Sequence, residues 1–364
     1  MPTRERSATL DSGECIDFGG GGTSRRSVLS GGLAAIVGAG LARSAAAQQP
    51  GAAAKPHRID VHHHIAPPTY VTEIAGRNLI APPTRNWTLA KSIEDMDKAG
   101  VATSITSVTT PGLYFADTAL ARRLARECNE YAAKIAVDHP GRFGMFAMLP
   151  LPDIDGSLAE LAHGLDVLKA DGVSLFTSYG SKWLGDPAFI PVMDELNRRG
   201  AVVYTHPRTA DCCRNLIPGI PDPVIEYGTD TTRTIASLVF SGGAHKYRNI
   251  KFIFSHAGGT MPFLTERFVR LPIIDKSLQA RVPEGVLPEL KRFYYDTAQA
   301  AHPMALASLL KLVSVSQVVF GTDYPFRTSL DHVKGLTEYG FSAADLRAID
   351  RDNALALIPR LKST

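Results

Sequence analysis

The sequence predicts an α/β fold, a (β/α)8 TIM-type barrel over residues 58–364. Eight short apolar, β-rich runs alternate with helical patterns after residue 57, which is the alternation of a closed parallel barrel. Histidine or aspartate stands at the end of four of these runs, where a barrel places its active site. The alternative, an open doubly wound sheet, usually carries a glycine-rich phosphate turn after its first strand. Histidines occupy that position here, which favours the barrel.

The eight predicted strands contain mainly β-branched, aliphatic and aromatic residues. They cover 58–64, 101–108, 142–149, 172–178, 201–206, 250–256, 292–297 and 317–322. Helical periodicity and end signals between them predict helices over 92–98, 117–137, 155–169, 187–199 and 231–240. For the last helix, Asp230 is the predicted N-cap. About 250 residues is typical of such a barrel, so the chain also has room for insertions.

Residues 1–47 predict an export signal rather than a part of the barrel. Arg25 and Arg26 precede an apolar, glycine-rich run over 30–42 that is too short to span a bilayer, and three small residues follow it. This arrangement is typical of a twin-arginine signal. We therefore expect an exported, periplasmic protein, cleaved near the end of this segment. Residues 48–57 predict a flexible leader.

Composition limits the partners of the chain. The 364 residues carry a net charge of +3 and contain no long basic run, and 45% of them are hydrophobic, which is enough for a full core. We expect no nucleic-acid partner and no membrane span after removal of the signal. The processed chain would keep Cys128, Cys212 and Cys213, an odd number that implies no complete disulfide framework. Free cysteines are expected; a Cys212–Cys213 bond or a thiolate ligand is the alternative.

The first predicted strand contains three consecutive histidines. In regular alternation Asp60, His62 and His64 share one face, and His63 points the other way, toward the helices. Neutral imidazole is a common metal ligand, and two imidazoles on one strand are easily brought together. A polar surface strand or a histidine-rich tract could have the same sequence, so the interpretation depends on the later strands.

Three later strand ends supply further candidate ligands. His206 ends the fifth strand, His256 ends the sixth, and Asp323 follows the eighth. Each alone has a structural explanation: a strand terminus before proline, a core histidine, or the first residue of a turn. Their common position at the carboxyl ends of the strands instead predicts one metal-dependent site.

These residues, together with longer motifs, resemble the amidohydrolase superfamily, and the similarity covers nearly all of residues 58–357. Its decarboxylase branch includes aminocarboxymuconate-semialdehyde decarboxylase, the hydroxybenzoate decarboxylases and, with the strongest likeness, the 6-methylsalicylate decarboxylases. The motifs similar to that branch are Met96–Val101, Arg142–Gly144, Leu149–Pro152, Ser255–Pro262, Gly321–Pro325 and Asn353–Ala354.

The resemblance implies one divalent metal, with His256 and Asp323 as catalytic residues. The implied ligands are His62, His64, His206 and Asp323. A member with two metals would bring a bridging lysine from the fourth strand, but the first lysine after residue 172 is Lys182, in the following loop. Three nitrogens and one oxygen suit zinc, and manganese is the alternative.

Two reactions could use such a site. In the first, a small aromatic or dienoic acid, such as a 6-methylsalicylate-like o-hydroxybenzoate, loses carbon dioxide, and Asp323 or His256 supplies the proton. In the second, metal-bound water attacks a lactone or an amide. The whole-chain resemblance favours decarboxylation over hydrolysis. A binding role without turnover is the third interpretation, and an open metal position beside His256 disfavours it.

Several residues are candidates for substrate binding. Arg267 lies eleven residues beyond His256, where the resembling semialdehyde decarboxylase places an arginine that crosses a dimer interface, so we expect a homodimer. Arg208 is a second candidate for a substrate carboxylate. A solvated helix face would equally explain Arg267. Loop aromatics that could stack on a ring, or simply pack in the core, are Tyr179, Trp183 and Phe326.

Overall fold

The computed structural model describes residues 57–363. The predicted export signal and all but the last residue of the predicted leader lie outside the described residues. Eight parallel strands form one sheet. In sheet order they are β1 Arg58–Ile65, β2 Val101–Val108, β3 Phe143–Met148, β4 Gly172–Phe176, β7 Val202–His206, β8 Lys251–Phe254, β9 Tyr294–Asp296 and β10 Val318–Val319. An antiparallel hairpin follows β4 and contains β5 Ser178–Tyr179 and β6 Lys182–Trp183.

The sheet closes on itself at the carboxyl ends of its first and last strands. The amide of Val61 in β1 donates to the carbonyl of Phe320 at 3.0 Å, and the amide of Asp323 donates to the carbonyl of His62 at 2.8 Å. These bonds join β1 to the segment after β10. The predicted barrel is therefore confirmed, and the open doubly wound sheet is excluded.

Helices cover the outside of the sheet. They are α1 Pro68–Ala75, α2 Pro82–Arg85, α3 Leu89–Ala99, α4 Thr118–Asp138, α5 Ile154–Ala162, α6 Ile190–Arg199, α7 Pro223–Phe240, α8 Gly243–Lys246, α9 Met261–Ile274, α10 Val286–Arg292, α11 Pro303–Leu312, α12 Ser329–Tyr339, α13 Ala343–Arg347 and α14 Asn353–Leu357. A π-helical turn, His163–Val167, continues α5. Among residues 57–363, no helix is both long enough and apolar enough to cross a membrane.

The predicted start of α7 is wrong. The helix begins at Pro223, and Asp230 is not its N-cap but a buried residue in its interior. Proline suits a first helical turn because its φ is already fixed and its missing N–H would have no partner there. The carboxylate of Asp230 instead accepts hydrogen bonds from the loop after β4, including one of 2.9 Å from the Ser178 hydroxyl.

A β-bulge in β1 corrects the predicted alternation of that strand. Its pairing with β2 shifts between Asp60 and His63, so one extra residue is accommodated and the side-chain parity changes. Asp60 therefore lies on the side of His63, whose Nδ1 is 3.1 Å from its carboxylate. His63 also contacts Ser92 of α3, as its predicted outward direction requires. The residues that face the barrel interior are Ile59, Val61, His62 and His64.

An apolar cluster, called here the floor cluster, fills the barrel at the amino ends of its strands. The strands contribute Ile59, Val61, Ile105, Phe146, Val202, Tyr204, Ile253 and Val319. The C-terminal segment closes the cluster with Ala354, Leu357, Ile358 and Leu361. All of these side chains are buried, so the floor holds the strands beneath the carboxyl ends.

The cysteines differ from the expectation of free thiols. Cys212 and Cys213 form a disulfide between neighbours in the sequence. Asp211 precedes this pair, and its carboxylate accepts from Arg208 at 3.1 Å and from Arg214 at 3.0 Å. Cys128 is a buried free cysteine, as expected.

Candidate metal centre

Four side chains at the carboxyl ends of the strands form a group that could hold a metal ion. One ligand atom from each of them lies within 4.8 Å of the others. The four residues are His62, His206, His256 and Asp323. A fifth side chain, His64, lies close to two of these residues, because its Nε2 is 3.1 Å from the Nε2 of His62 and 3.1 Å from Oδ1 of Asp323.

The carboxylate of Asp323 divides this group into two parts. Its Oδ1 is 3.3, 3.1 and 3.9 Å from the Nε2 atoms of His62, His64 and His206, respectively. Its Oδ2 is 3.4 Å from Nε2 of His256 and accepts a 2.9 Å hydrogen bond from the amide of Gln299. One carboxylate oxygen thus faces three imidazoles, and the other faces a single imidazole beside them.

The second ring nitrogen of each of the three imidazoles is held by the fold. The contacts of Nδ1 are with Asp296 at 2.7 Å for His62, with Ser107 at 3.1 Å for His64, and with the carbonyl of Pro207 at 2.7 Å for His206. A metal-binding histidine usually uses its other nitrogen in this way, which fixes the ring orientation. All three rings therefore present Nε2 to the same place.

The donor set fits a divalent cation. Nε2 of His206 and Nε2 of His256 are buried and have no hydrogen-bond partner within residues 57–363. Buried polar atoms normally have partners, so an orphaned nitrogen beside a carboxylate indicates a ligand. Imidazole nitrogens with one carboxylate oxygen suit zinc or another first-row divalent metal.

The protonation of two of the three imidazoles is consistent with that role. Burial lowers the pKa of His64 to about 3 and the pKa of His206 to about 4, so both rings are neutral near pH 7. Burial also opposes the charged form of His62, but Asp296 and Asp323 outweigh it and raise the pKa of His62 to about 10. A cation that binds Nε2 of His62 therefore has to displace a proton.

Burial would raise the pKa of the Asp323 carboxyl, but the neighbouring histidines, His62 first, hold it well below its usual value. The side chain is a carboxylate. It can therefore act as a ligand through Oδ1 while Oδ2 accepts hydrogen bonds.

Backbone strain is concentrated around the site. His256, Ala257 and Gln299 have φ of 55°, and Asp323 has φ of 62°. Non-glycine residues seldom adopt this left-handed conformation, and such strain often accompanies a functional site. Here it fixes the turns that carry His256 and Asp323.

A cavity of about 510 Å³ opens above these residues. Polar residues of the site form one part of its lining, namely His206, His256, Gln299 and Asp323. The rest of the lining contains Ala81, Thr109, Thr110, Pro223, Val224, Tyr227, Gly228 and Phe326. The volume is within the range of small-molecule sites.

The family model described as amidohydrolase matches residues 59–360. The chain belongs to the amidohydrolase family. It is 36% identical over 325 residues to the decarboxylase yanB of Aspergillus niger, an alignment that covers 84% of this chain and 88% of that protein. It is also 36% identical to a 6-methylsalicylic acid decarboxylase of Penicillium expansum over 315 residues, which cover 84% of this chain and 97% of that one.

Solved structures of the family share the barrel. A dihydroxybenzoic acid decarboxylase from Polaromonas sp. JS666, solved with bound manganese and the inhibitor 2-nitroresorcinol, superposes with a TM-score of 0.70. The alignment covers 83% of this chain and 97% of that one, at 22% identity. The sequence relatives show that this amidohydrolase is a carboxy-lyase, a decarboxylase. Its metal-binding site contains His62, His206, His256 and Asp323.

Of the residues predicted to bind substrate, the structure brings only Phe326 to the cavity lining. Its ring centre is 6.1 Å from that of His64. Tyr179 is buried, and its hydroxyl accepts from the amide of Phe176 at 3.0 Å. The indole N–H of Trp183 donates to Asp230 at 2.7 Å. Both aromatic residues thus hold the loop after β4 in place.

Neither of the two predicted arginines is among the residues that line the cavity. The buried guanidinium of Arg208 lies above the ring of Tyr114, 4.4 Å from its centre, and its NH1 nitrogen has no hydrogen-bond partner among the described residues. Arg267 is exposed on α9. Contact of either arginine with substrate stays a prediction.

Two residues of this amidohydrolase site were missed from the sequence. Asp296 is fully buried at the end of β9, and while Oδ2 contacts His62, its Oδ1 accepts from the backbone amide of His256 at 2.8 Å. Its position at the end of the predicted seventh strand is the signal that could have revealed it. Gln299 gives no comparable signal, because its role depends on a strained loop conformation.

Asp60 of the histidine motif is not among the converging ligands. Its carboxylate accepts from the Thr322 hydroxyl at 2.7 Å. Because Thr322 immediately precedes Asp323, Asp60 ties β1 to the turn that carries the carboxylate ligand. Its role is therefore to position other residues.

Proposed function

We propose that this decarboxylase removes carbon dioxide from a small o-hydroxyaromatic acid, for which 6-methylsalicylate is the first candidate, at a single divalent cation. The observation that carries the proposal is that the two carboxylate oxygens of Asp323 face different groups: Oδ1 faces three histidines, and Oδ2 faces His256. This arrangement separates a cation site from a neighbouring group that can handle a proton. The Penicillium expansum relative, named for 6-methylsalicylic acid, supports the choice of substrate.

The residues that would hold the cation are His62, His64, His206 and Asp323. When bound, the cation supplies Lewis-acid chemistry, which polarises the substrate carboxylate and an ortho oxygen. The bond between the ring carbon and the carboxylate carbon breaks, its electron pair stays on the ring, and a proton takes the place of carbon dioxide. His256 lines the cavity with its Nε2 near Oδ2 of Asp323, so His256 can hold the proton beside the Asp323 carboxylate.

The decisive experiment is incubation with substituted salicylates in deuterium oxide. We expect release of carbon dioxide and incorporation of one deuterium at the ring carbon that carried the carboxylate. The His256→Ala variant is the control, because it keeps the implied ligands and should be slower by about 10²–10⁴-fold. Intact salicylates, resorcylates and muconate semialdehydes together with cleavage of a lactone or an amide would show that the substrate proposal is wrong.

The identity of the metal is a separate proposal. Nitrogen-rich coordination favours zinc, whereas the Polaromonas structure was solved with manganese. Elemental analysis should find about one divalent ion per chain, since residues 57–363 contain a single set of converging ligands. Stripped protein reloaded with zinc or with manganese would then show which ion restores turnover. Two ions per chain would contradict the proposal.

A homodimer is also proposed, with Arg267 reaching the partner's cavity. Arg267 is exposed and does not line the cavity of its own chain, and the same helix, α9, exposes Phe263, Ile273 and Ile274. Inactive Arg267→Ala chains mixed with inactive His256→Ala chains should recover some activity in hybrid dimers. Confirmed hybrid dimers without activity would show that Arg267 acts in its own subunit or is only a surface residue.

Export through the twin-arginine route is proposed from residues 1–47. The motif around Arg25 and Arg26 supports it. Mass spectrometry of the native protein should give a chain that starts near residue 48. A full-length chain that keeps both arginines would overturn the proposal.

A further inference from the structure

One face of α7 forms a wall of the cavity. Pro223, Val224, Tyr227 and Gly228 line the cavity, and their spacing of three and four residues places them on the same side of the helix. The ring of Tyr227 is centred 6.0 Å from the ring of His206. Val224 lies about 4.5 Å closer to the start of the helix, and it is 72% exposed. The wall therefore leads from the candidate metal centre to the surface.

Phe326 supplies a second apolar surface, which begins at the metal centre. Its amide donates to the carbonyl of Asp323 at 2.8 Å, and its side chain lines the cavity while remaining 37% exposed. Among the described residues of the lining, the carboxylate and the imidazoles belong to the metal centre, and none is a lysine or an arginine. The part of the cavity beyond the centre therefore suits an uncharged, apolar group.

The cavity is larger than the first candidate substrate requires. Even at roughly 30 Å³ for each of its about eleven non-hydrogen atoms, which is the share of a water molecule in the liquid, 6-methylsalicylate would occupy only about 330 Å³. The cavity volume is about 510 Å³. About a third of the space is left for a larger substituent, and the apolar wall favours burial of hydrocarbon there.

The apolar surface continues outside the cavity in the turn over 216–220. Leu216, Ile217 and Ile220 are all exposed in this turn. The amide of Asn215 donates to the carboxylate of Asp222 at 2.8 Å, so the two ends of the turn meet directly before α7. Clustered exposed apolar side chains commonly mark a binding surface. Because the first residues of α7 line the cavity, this surface lies beside the cavity mouth.

We propose that this decarboxylase acts on salicylates in which an alkyl tail replaces the methyl group of 6-methylsalicylate. The tail lies along Phe326 and Val224 and extends toward Ile220. The inference rests on the proposed function, because it assumes that the substrate carboxylate and the ortho oxygen are held at the metal centre. It deepens that function by naming the substituent that the rest of the cavity takes.

The test is a series of acids assayed with the metal-loaded full chain: 6-methyl-, 6-propyl- and 6-pentylsalicylate. A fully buried methylene raises affinity about fourfold, so a partly exposed wall should raise kcat/KM about twofold for each added methylene. The gain should come from KM, because the tail makes the same contacts in the ground state and the transition state. An acid of similar length whose tail ends in a second carboxylate should show no gain. A kcat/KM that stays constant or falls from methyl to pentyl would overturn the proposal.

Variants then assign the preference to the wall. Val224→Ser should lower the ratio of kcat/KM for the pentyl acid to that for the methyl acid about fivefold, because it removes apolar surface that only the longer tail reaches. Val137→Ser is the matched control, since Val137 on α4 is 75% exposed and does not line the cavity; the ratio should not change. An equal loss for both acids would give Val224 a structural role only. Dissociation of a dimer with an unchanged ratio would assign Val224 to contact with a second copy. Either result contradicts the proposal.

Calorimetric binding of the same acids separates the two levels of inference. If no acid is decarboxylated but affinity rises with tail length, and Val224→Ser removes the rise, the tail site stands and the proposed reaction fails. If the methyl acid is decarboxylated but longer tails improve neither turnover nor affinity, the reaction stands and the tail site is wrong.

Discussion

At the amino ends of the strands, the barrel interior is filled with aliphatic and aromatic side chains, whereas imidazoles and carboxylates fill it at the carboxyl ends. The floor cluster is completed by the C-terminal segment, which contributes Ile358 and Leu361. The mouth instead collects His62, His206 and Asp323, together with strained backbone. Both ends are buried, so exposure alone does not distinguish them.

The difference between the two ends shows how the barrel separates stability from chemistry. Burial of the floor side chains contributes roughly 1.5–3 kcal/mol for each large aliphatic residue. At the mouth, desolvation opposes the charged forms of His62 and Asp323, and two imidazole nitrogens have no hydrogen-bond partner among the described residues. We therefore expect a bound cation to stabilise the mouth, whereas the floor is stabilised by its own packing.

The largest effect should come from removal of a predicted ligand at the mouth. His206→Ala removes an imidazole whose Nδ1 contacts the carbonyl of Pro207. We expect loss of the bound cation and a fall in turnover of at least about 10³-fold, since metal Lewis-acid stabilisation is worth several kcal/mol. Elemental analysis and single-turnover assays measure the two effects.

The same variant also tests the comparison through its stability. After chelation, wild type has no contribution from bound metal, so the unfolding free energies of stripped wild type and stripped His206→Ala should agree within about 1 kcal/mol. A much less stable stripped variant would mean that the mouth histidines support the fold as the floor does.

The second prediction concerns the floor. Ile358→Ala removes a side chain that is 3% exposed, and the cavity left behind should cost about 2–5 kcal/mol of unfolding free energy. Metal content and kcat of the folded fraction should be unchanged, because the floor does not reach the cavity. Denaturant unfolding measures the loss. Val137→Ala, at a side chain that is 75% exposed, is the control and should change stability by less than about 0.5 kcal/mol.

The two ends also differ in how far the sequence predicts them. The apolar runs that build the floor can be recognised in the sequence, because every strand of a parallel barrel is buried on both faces. The ends of those runs correctly brought His62, His206 and Asp323 together, because parallel strands end on one side of the sheet. The position of these residues at strand ends was sufficient to predict that they lie close together.

Local irregularities could not be predicted in the same way. The bulge in β1 depends on how the strand pairs with β2, and the alternation of residues within one strand gives no information about that pairing. The predicted side of Asp60 was therefore wrong. Asp230 is a residue type that is common at N-caps, but its carboxylate accepts hydrogen bonds from a hydroxyl and an indole N–H of another loop. Gln299, which donates to Asp323, lies in a loop with a left-handed backbone conformation. Each of these depends on contacts between segments distant in the sequence.

The third prediction concerns Asp296, which connects two parts of the mouth. It contacts the ring of the predicted ligand His62 and accepts from the backbone amide of His256. Asp296→Asn keeps the size of the side chain but loses the carboxylate, so we expect metal affinity to fall about 10–100-fold, with unfolding of the stripped protein little changed. Competition with a chelator measures the affinity. Unaltered affinity would assign Asp296 to the packing of the barrel instead.

The smallest effect is expected outside both ends, at Glu195 on α6. Arg198 and Arg199 donate to its carboxylate at 2.7 and 2.6 Å and lower the pKa of Glu195 to about 2. Because the folded pKa is lower than the unfolded one, the pairing stabilises the protein above about pH 4.5, and this contribution is lost as the pH falls toward about 2. Solvent screening limits it to about 0–1 kcal/mol.

Glu195→Gln should therefore unfold at a slightly lower temperature than wild type near pH 7, and the difference should shrink near pH 3. Both proteins are measured after chelation, so that titration of the mouth residues is common to them and cancels in the difference. Turnover of the metal-loaded variant should equal that of wild type, because α6 contributes no side chain to the cavity lining. A change in turnover would show that a charged residue on the outer layer acts on the mouth, and the separation of stability from chemistry along the barrel would then be incomplete.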